Sequence, residues 1–322
     1  MKAKNLATAF ALLAAALYAL NIPFSKLLLE RISPTMMAAF LYLGAGVGLW
    51  LWGLFSHEKE KGGRLTKKEL PYTLGMIVLD IAAPILLMLG LTRTGAANAS
   101  LLNNFEIVAT SLLAFFLFKE KISRRLTLAI LLVTAAGITL SFEAGSLQFN
   151  SGSLLVLGAA CCWGLENNCT RMLSSCSSVQ VTTVKGIFSG LGSLIVALVA
   201  GEPFPPLLWI PAALGLGFVA FGLSINFYIK AQKELGAAKT SAYYSVAPFL
   251  GVLFGLALGE RPTLQFFAGL IIMILATLLM VRDTVALQHT HEHRHGTLVH
   301  THTHTHLSGE DDGIHNHTHP FL

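Results

Sequence analysis

Long apolar stretches alternate with short polar segments along the whole chain, and each stretch has the length of a membrane span. A helix needs about 20 predominantly apolar residues to cross the hydrocarbon core of a bilayer. Ten stretches approach this length, at residues 6–29, 34–55, 70–91, 96–118, 125–142, 152–173, 179–200, 207–230, 236–258 and 264–282. The pattern predicts an all-α integral membrane protein with ten transmembrane helices.

The second half of the chain repeats features of the first. The segment TGAANAS at 94–100 is echoed by LGAAKTS at 235–241, and each copy opens an apolar stretch. These stretches end near Glu120 and Glu260, which lie 140 positions apart. Five spans per half is an odd number, so the second copy enters the membrane from the opposite side. The repeat therefore predicts two inverted five-helix bundles around a central cavity.

The repeat also divides the chain into three parts. We expect the first five-helix repeat at 1–145, the second, inverted repeat at 146–283, and a disordered His-rich cytoplasmic tail at 284–322. The first apolar stretch is too long for a signal peptide and lacks a clear cleavage site, so we interpret it as a retained helix.

Composition and charge agree with a membrane location. The 322 residues are 54% apolar and only 12% charged, with a mean hydropathy of +0.65, whereas a soluble domain carries about 25% charged residues. With the N-terminus inside, sixteen Lys and Arg residues fall on inner segments and four on outer ones. By the positive-inside rule we expect a multi-pass protein of the plasma membrane with both termini in the cytoplasm. The net charge of +5 reflects this bias and indicates no nucleic-acid partner.

These repeated segments resemble those of EamA-type exporters in the drug/metabolite transporter superfamily. The matching pieces are TSAYYSVAPFLGVLFGLALGERPT (240–263), its degenerate partner NASLLNNFEIVATSLLAFFLFKEKIS (98–123), and the paired helix openings at 14–26 and 159–171. The resemblance covers about residues 6–282 and implies two inverted bundles around a central cavity with alternating access. Known relatives move amino acids, other metabolites, drugs and, more distantly, nucleotide sugars. Glu106 departs from the family pattern, because many relatives have proline or a small residue there.

Two acidic residues lie inside predicted spans together with other polar groups. An ionisable residue at mid-span costs on the order of 2.5–3.5 kcal/mol and is therefore a functional candidate. Asp80 precedes Pro84 by four residues, so its carbonyl lacks a helical partner, which indicates a cation or proton site or, alternatively, interhelical hydrogen bonding. Glu106 shares a helix face with Asn103 and Thr110. Because such a polar stripe cannot face lipid, we expect it to line the cavity and Glu106 to couple transport to protons.

A further group of candidates lies in the first helix of each repeat and in the seventh stretch. Glu166 and Asn21 correspond at a shift of 145 positions, which indicates a shared central site, with interhelical hydrogen bonding as the alternative. We expect Lys185 to snorkel to the inner face. If it pointed inward instead, it would pair with Glu166 and keep that carboxylate charged.

The ninth stretch contributes a tyrosine beside a proline. Pro248 leaves the carbonyl of Tyr244 without its helical hydrogen bond, so the sequence predicts a kink at cavity depth. A tyrosine ring beside a broken helix suits an organic substrate, although such rings also serve in packing. Glycines spaced four apart, such as Gly44/Gly48 and Gly186/Gly190, predict close helix contacts within the chain and permit a monomer or a homodimer.

The tail carries eleven of the twelve histidines, alternating mainly with Thr, Glu or Arg. They are His289, His291, His293, His295, His300, His302, His304, His306, His315, His317 and His319. The tail is too polar to bury a core, but neutral imidazole is the commonest metal ligand. We expect it to bind zinc, nickel, cobalt or copper, with no cofactor required elsewhere. We interpret Cys162, Cys169 and Cys176 as packing residues, with soft-metal ligation as the alternative.

These features favour a secondary active transporter that exports a small organic metabolite or amino acid in exchange for protons. Asp80, Glu106 and Glu166 would carry protons or hold an ammonium group. One alternative is a transporter of divalent metal with the tail as a collector, and another is a metal-regulated membrane protein. An enzyme is not expected, because the sequence shows neither a phosphate-binding glycine loop nor a convincing nucleophile–base pair.

Overall fold

The structure, a computed structural model, describes residues 2–55, 63–119, 122–142, 149–295 and 298–305. This part of the chain is mainly α-helical. Its helices are α1 Lys2–Ala19, α2 Asn21–Leu28, α3 Pro34–Phe55, α4 Leu70–Leu91, α5 Ala96–Leu102, α6 Phe105–Phe118, α7 Arg124–Ser141, α8 Ser151–Arg171, α9 Ser178–Val199, α10 Trp209–Gly217, α11 Ser224–Leu235, α12 Ala237–Tyr244, α13 Ala247–Ala257 and α14 Leu264–Leu287. A π-helical segment, Phe218–Leu223, joins α10 to α11.

Nine segments within the described residues are long and apolar enough to cross a membrane. They are Asn5–Leu28, Pro34–Leu54, Leu70–Leu91, Ala96–Phe116, Arg124–Ser141, Val179–Val199, Trp209–Gln232, Lys239–Ala257 and Leu264–Asp283. The helix α8 has the necessary length, but Glu166, Asn167 and Asn168 lower its hydropathy. The prediction of a multi-pass membrane protein is confirmed, whereas the tenth span stays a prediction.

Three of the ten apolar stretches are interrupted near the middle. The breaks lie at Leu20, at residues 103–104 and at residues 245–246, and they separate α1 from α2, α5 from α6 and α12 from α13. At residues 103–104 the backbone tightens, because the N–H of Asn104 donates to the carbonyl of Leu101 and that of Glu106 to the carbonyl of Asn103, both three residues back at 3.1 Å. Pro248 lies in the first turn of α13, where its missing N–H does no harm. The kink predicted beside Tyr244 is thus a boundary between two helices.

The core forms where helices from the first half of the chain pack against helices from the second. The most extensive contacts join α3 to α9, α4 to α8, α7 to α14 and α1 to α11. A Cβ on Gly46 would lie 2.5 Å from the nitrogen of Ile187, and one on Gly186 would lie 2.5 Å from the Cα of Gly46. Gly44 meets the carbonyl oxygen of Leu214 in the same way. The predicted close contacts are confirmed at Gly44 and Gly186.

After α14 the described backbone forms two antiparallel strands, β1 Gln288–His295 and β2 Leu298–Thr305. The division of the chain into two repeats and a disordered tail at 284–322 stays a prediction. Histidine alternates with threonine here, and a period of two with β-branched residues suits a strand. Four of the predicted metal ligands, His306, His315, His317 and His319, lie outside the described residues.

Candidate functional site

A cavity of about 370 Å³ lies between helices from both halves of the chain. Its walls come from α1, α3, α6, α8 and α9, from the π-helical segment, and from α11 to α13. Five of the predicted site residues line it: Asn103, Glu106, Glu166, Lys185 and Tyr244. The structure thus brings together residues from distant stretches, and Asp80 contacts this group from behind the wall.

A buried ion-pair cluster forms part of the cavity wall. The Lys185 Nζ lies 3.0 Å from Asp80 Oδ2 and 3.0 Å from Glu166 Oε2. The side chains of Asp80 and Glu166 are only 0% and 2% exposed, so one ammonium compensates two desolvated carboxylates. The expectation that Lys185 snorkels is wrong, because these carboxylates draw its ammonium inward. The alternative, a pair with Glu166, is confirmed.

Asp80 is held by residues from three other helices. Its Oδ1 accepts hydrogen bonds from the hydroxyl of Tyr42 at 2.9 Å and from the indole N–H of Trp163 at 3.2 Å. Trp163 also donates to the Tyr42 oxygen at 3.1 Å. With Lys185 on the other oxygen, the carboxylate has charge-assisted partners on both sides. Helix α4 continues through Pro84. The two hydrogen bonds and the ion pair give Asp80 fixed partners, so its carboxylate is not open to the cavity.

Glu106 has a different environment from the other two acids. Its Oε1 accepts a hydrogen bond from Asn167 Nδ2 at 2.8 Å, and the same amide donates to Thr110 Oγ1 at 3.1 Å. Within the described residues, no Lys or Arg lies at ion-pair distance from its carboxylate. Glu166, by contrast, accepts from the hydroxyl of Thr170 in addition to its pair with Lys185. Glu106 is therefore the cavity acid that an amide, rather than a cation, contacts.

Two asparagines at the break between α5 and α6 present unpartnered polar atoms. Asn103 and Asn104 are 7% and 6% exposed, and both line the cavity. The Asn103 Nδ2 donates to the Tyr18 hydroxyl at 3.3 Å. Among the described residues, however, Asn103 Oδ1 has no donor and Asn104 Nδ2 has no acceptor. Because unpaired buried polar atoms cost free energy, these two atoms are candidate contact points for a bound molecule or an ordered water.

Aromatic rings form another part of the wall. The ring of Tyr18 packs edge to face with Phe221 at a centroid distance of 5.8 Å and lies 5.7 Å from Tyr244. Tyr42 lies 5.6 Å from Phe221. Phe221 belongs to the π-helical segment, a distortion that is frequent at functional sites. The cavity therefore combines acids with aromatic surfaces.

The sequence did not predict Tyr18, Tyr42, Trp163 or Phe221 as site residues. Aromatic residues in membrane helices often anchor at the interface or pack, so their presence alone carries little information. A signal existed for two of them, because Tyr18 and Trp163 correspond at the shift of 145 positions.

Asn21 was predicted to line the cavity but does not. It is 2% exposed and accepts a hydrogen bond from Ser25 within α2.

At one end of the bundle, two glutamates from the second half bind the starts of helices from the first. Glu260 accepts hydrogen bonds from the backbone N–H groups of Ala96 and Ala97 at 2.5 and 2.8 Å. Glu202 accepts from two first-turn N–H groups of α3 at 3.1 and 2.8 Å. Such N–H groups lack helical partners, and carboxylates stabilise them. These contacts join the two halves outside the cavity.

A metal site is not found in the described part of the chain, where no group of three His, Cys, Asp or Glu residues could hold an ion. Cys162 and Cys169 are free thiols there and do not join the buried acids in such a group. Metal binding by the tail histidines stays a prediction.

A comparison with known families assigns most of the chain to one family. The EamA-like transporter family matches residues 5–142 and 150–282, which is most of the chain. The chain belongs to the EamA-like transporter family. It is accordingly a membrane transport protein, whose surroundings are the lipid bilayer and whose cargo is a small molecule.

This EamA-like protein is similar to transporters of archaea and bacteria. An uncharacterized transporter of Methanothermobacter thermautotrophicus is 25% identical over 276 residues, which cover 80% of each chain. The uncharacterized transporter YyaM of Bacillus subtilis is 24% identical and covers 76% of this chain and 84% of its own. The uncharacterized inner membrane transporter YedA of Escherichia coli K12 is 24% identical, with 71% and 75% covered. A crystal structure with 16% identity superposes with a TM-score of 0.64 over 87% of this chain and 97% of that chain, which shows the same fold.

Proposed function

We propose that this EamA-like protein is a secondary active transporter that exports a small organic metabolite across the plasma membrane in exchange for protons, with Glu106 as the proton carrier. The observation that supports this role is the contrast among the three acids. Asp80 and Glu166 share the ammonium of Lys185, whereas Glu106 faces the cavity and its carboxylate contacts an amide but no cation among the described residues. A carrier must alternate between its protonated and ionised forms, and protonation of a carboxyl paired with a buried ammonium would break that ion pair. Asp80 and Glu166 then hold the wall while Glu106 exchanges protons.

The architecture that we propose is ten transmembrane helices in two inverted five-helix repeats with both termini in the cytoplasm. The family matches divide near residue 145, between 142 and 150, as this architecture requires. Helix contacts agree as well, because the packing of α1 on α11 has its counterpart in the packing of α8 on α4. Each of these contacts pairs the first helix of one repeat with the third helix of the other.

A close backbone contact supports the same symmetry. Gly46 and Gly186 meet where α3 crosses α9. The two helices begin at Pro34 and Ser178, which lie 144 positions apart, and at this shift the close contact of Gly46 with Ile187 corresponds to that of Gly190 with Leu43. A two-fold relation between the repeats would interchange these two contacts, so their pairing supports the proposed inverted arrangement.

Proteoliposomes that contain a trapped pH-sensitive dye test the proposed function. Pools of amino acids, organic amines, other metabolites and divalent metals are added in turn, and protein-free liposomes measure spontaneous permeation. We expect an organic pool to drive a proton flux, and Glu106→Gln to reduce it by at least about tenfold. Glu30→Gln is the matched control, because Glu30 is exposed and lies outside the cavity. A flux driven only by zinc, nickel or cobalt, or one retained in Glu106→Gln, would overturn the assignment.

A further inference from the structure

The charges and polar atoms of the cavity restrict the chemistry of its cargo. We infer that the central cavity binds an organic ammonium ion without a free carboxylate, that is, an amine rather than an amino acid. This inference rests on the proposed function, since it uses the same cavity and the same Glu106, and it names the substrate class of that site.

The side chains around the cavity leave an excess of negative charge. Asp80, Glu166 and Lys185 together carry a net charge of −1 in their paired state, and ionised Glu106 adds a second negative charge. Lys185 is the only Lys or Arg among the described residues that line the cavity, and its ammonium already contacts two carboxylates. A carboxylate on the cargo would therefore be desolvated beside like charges with no free cation to meet it. A cargo with a single positive charge is attracted by this net negative charge instead.

The unpartnered atoms at the break between α5 and α6 supply independent support. Asn103 Oδ1 and Asn104 Nδ2 lack hydrogen-bond partners among the described residues, although both side chains are more than nine-tenths buried. Asn103 lies three residues before Glu106, which places the two side chains on one side of the segment that continues into α6. An ammonium has three N–H donors, enough to bind Asn103 Oδ1 and the Glu106 carboxylate together. Asn104 Nδ2 fits an oxygen atom elsewhere on the cargo.

The aromatic wall suits the rest of such a molecule. The ring centroids of Phe221 and Tyr244 lie 5.8 and 5.7 Å from that of Tyr18, and all three rings line the same cavity. Ring faces attract organic cations and also cover apolar groups. The volume of about 370 Å³ lies near the lower end of the range of about 300–1,000 Å³ for small-molecule sites. A compact amine that carries one ring or a short apolar chain matches these dimensions.

Matched pairs of amines and amino acids test the inference directly. The pairs are 2-phenylethylamine with phenylalanine, tyramine with tyrosine, and tryptamine with tryptophan, and each pair differs only in the carboxylate. Isothermal titration calorimetry on the purified full-length protein in detergent measures binding without the permeation of neutral amines that disturbs liposome assays. We expect at least one amine to bind about tenfold or more tightly than its amino acid, because like charges in a desolvated site repel.

Three variants assign the binding to this cavity. Glu106→Gln should weaken amine binding by about tenfold or more, whereas Glu30→Gln should leave it unchanged. Thermal melting of each variant shows that it is folded, and Asn103→Ala, which keeps every cavity charge, should weaken the amine without removing it. Binding that is equal in Glu106→Gln and Glu30→Gln would place the amine elsewhere and overturn the inference.

The outcomes separate this inference from the proposed function. An amino acid that binds as tightly as its amine, or the absence of binding by all three amines, overturns the inference. If amino acids then drive a proton flux that Glu106→Gln removes, the proposed function stands without it. If no organic pool drives a flux, both fail.

Discussion

Lys185 on α9 and Asp80 on α4 form a 3.0 Å ion pair that connects the second half of the chain to the first. The same ammonium lies 3.0 Å from Glu166 on α8. One cation thus serves two buried acids from different repeats of the sequence. Because desolvated charges are costly when unpaired, this lysine is tied both to the stability of the bundle and to the charge that the cavity presents.

Replacing Lys185 by methionine should destabilise the protein by about 3–5 kcal/mol, because it leaves two buried carboxylates without a cation. Thermal unfolding in detergent, followed by circular dichroism, measures the change. The double variant with Asp80→Asn should recover part of the loss, since it removes one of the stranded charges. A single variant that melts at the wild-type temperature would show that the pair contributes nothing to stability.

The two glutamates that bind helix starts should protect different amides. Glu260→Gln should speed hydrogen exchange at Ala96 and Ala97 by about tenfold or more, because a charged acceptor contributes about 1.5–3 kcal/mol per hydrogen bond. Mass spectrometry of peptides from α3 and α5 measures the exchange. Glu202→Gln is the matched control, which should affect the first turn of α3 and leave α5 unchanged. The same change at both helices in either variant would argue against separate contacts.

Two glycines of α3 should respond in opposite ways to alanine. Gly46→Ala should cost about 1–3 kcal/mol of stability, because the new Cβ would overlap the backbone of α9. Gly53→Ala should be neutral or stabilise by up to about 1 kcal/mol, because a Cβ there meets nothing within 4 Å and alanine favours the helix. Parallel melting curves of the two variants give the comparison. Equal melting temperatures would mean that α3 and α9 do not approach as closely as described.

Removal of residues 284–322 should abolish tight zinc binding while it leaves transport of an organic cargo unchanged. The truncated chain keeps only one of the twelve histidines, His57, and clustered imidazoles are what allow a chain to assemble a zinc site. Calorimetric titration with zinc and the proteoliposome assay report the two effects separately. Undiminished zinc affinity after truncation would locate the ligands elsewhere in the chain. A loss of metal delivery at low metal concentration would favour a metal cargo.

Features that depend on local pattern were predictable from the sequence. Apolar length gave the positions of the membrane helices, and polar residues at mid-span drew attention to Asn103, Glu106 and Glu166, which the structure places at one cavity. The break at Asn103 and Asn104 had a weaker signal, since two adjacent asparagines disfavour a helix. In the tail, the alternation of histidine with threonine suits a strand, whereas the polar composition favours disorder.

Features that depend on contacts between distant positions were not predictable. Lys185 and Asp80 lie 105 positions apart, and nothing in their neighbours indicates that they meet. An isolated lysine near the end of a span is consistent with snorkelling as well as with pairing, so only the packing of α4 against α9 decides between them. The position of Phe221 at the cavity could not be predicted either, because it depends on the π-helical segment that contains this residue.

The crossing of α3 and α9 also determines which movements are open to the bundle. At this crossing, Gly46 and Gly186 each leave room for the backbone of the other. Sliding along α3 by about one turn would bring side chains of the same face, such as Leu49, to the crossing, where the space for a side chain does not exist. Rotation about the crossing would keep the two glycines in contact. In the proposed transporter, the glycine pair would therefore be the pivot about which the cavity opens at one end and then at the other.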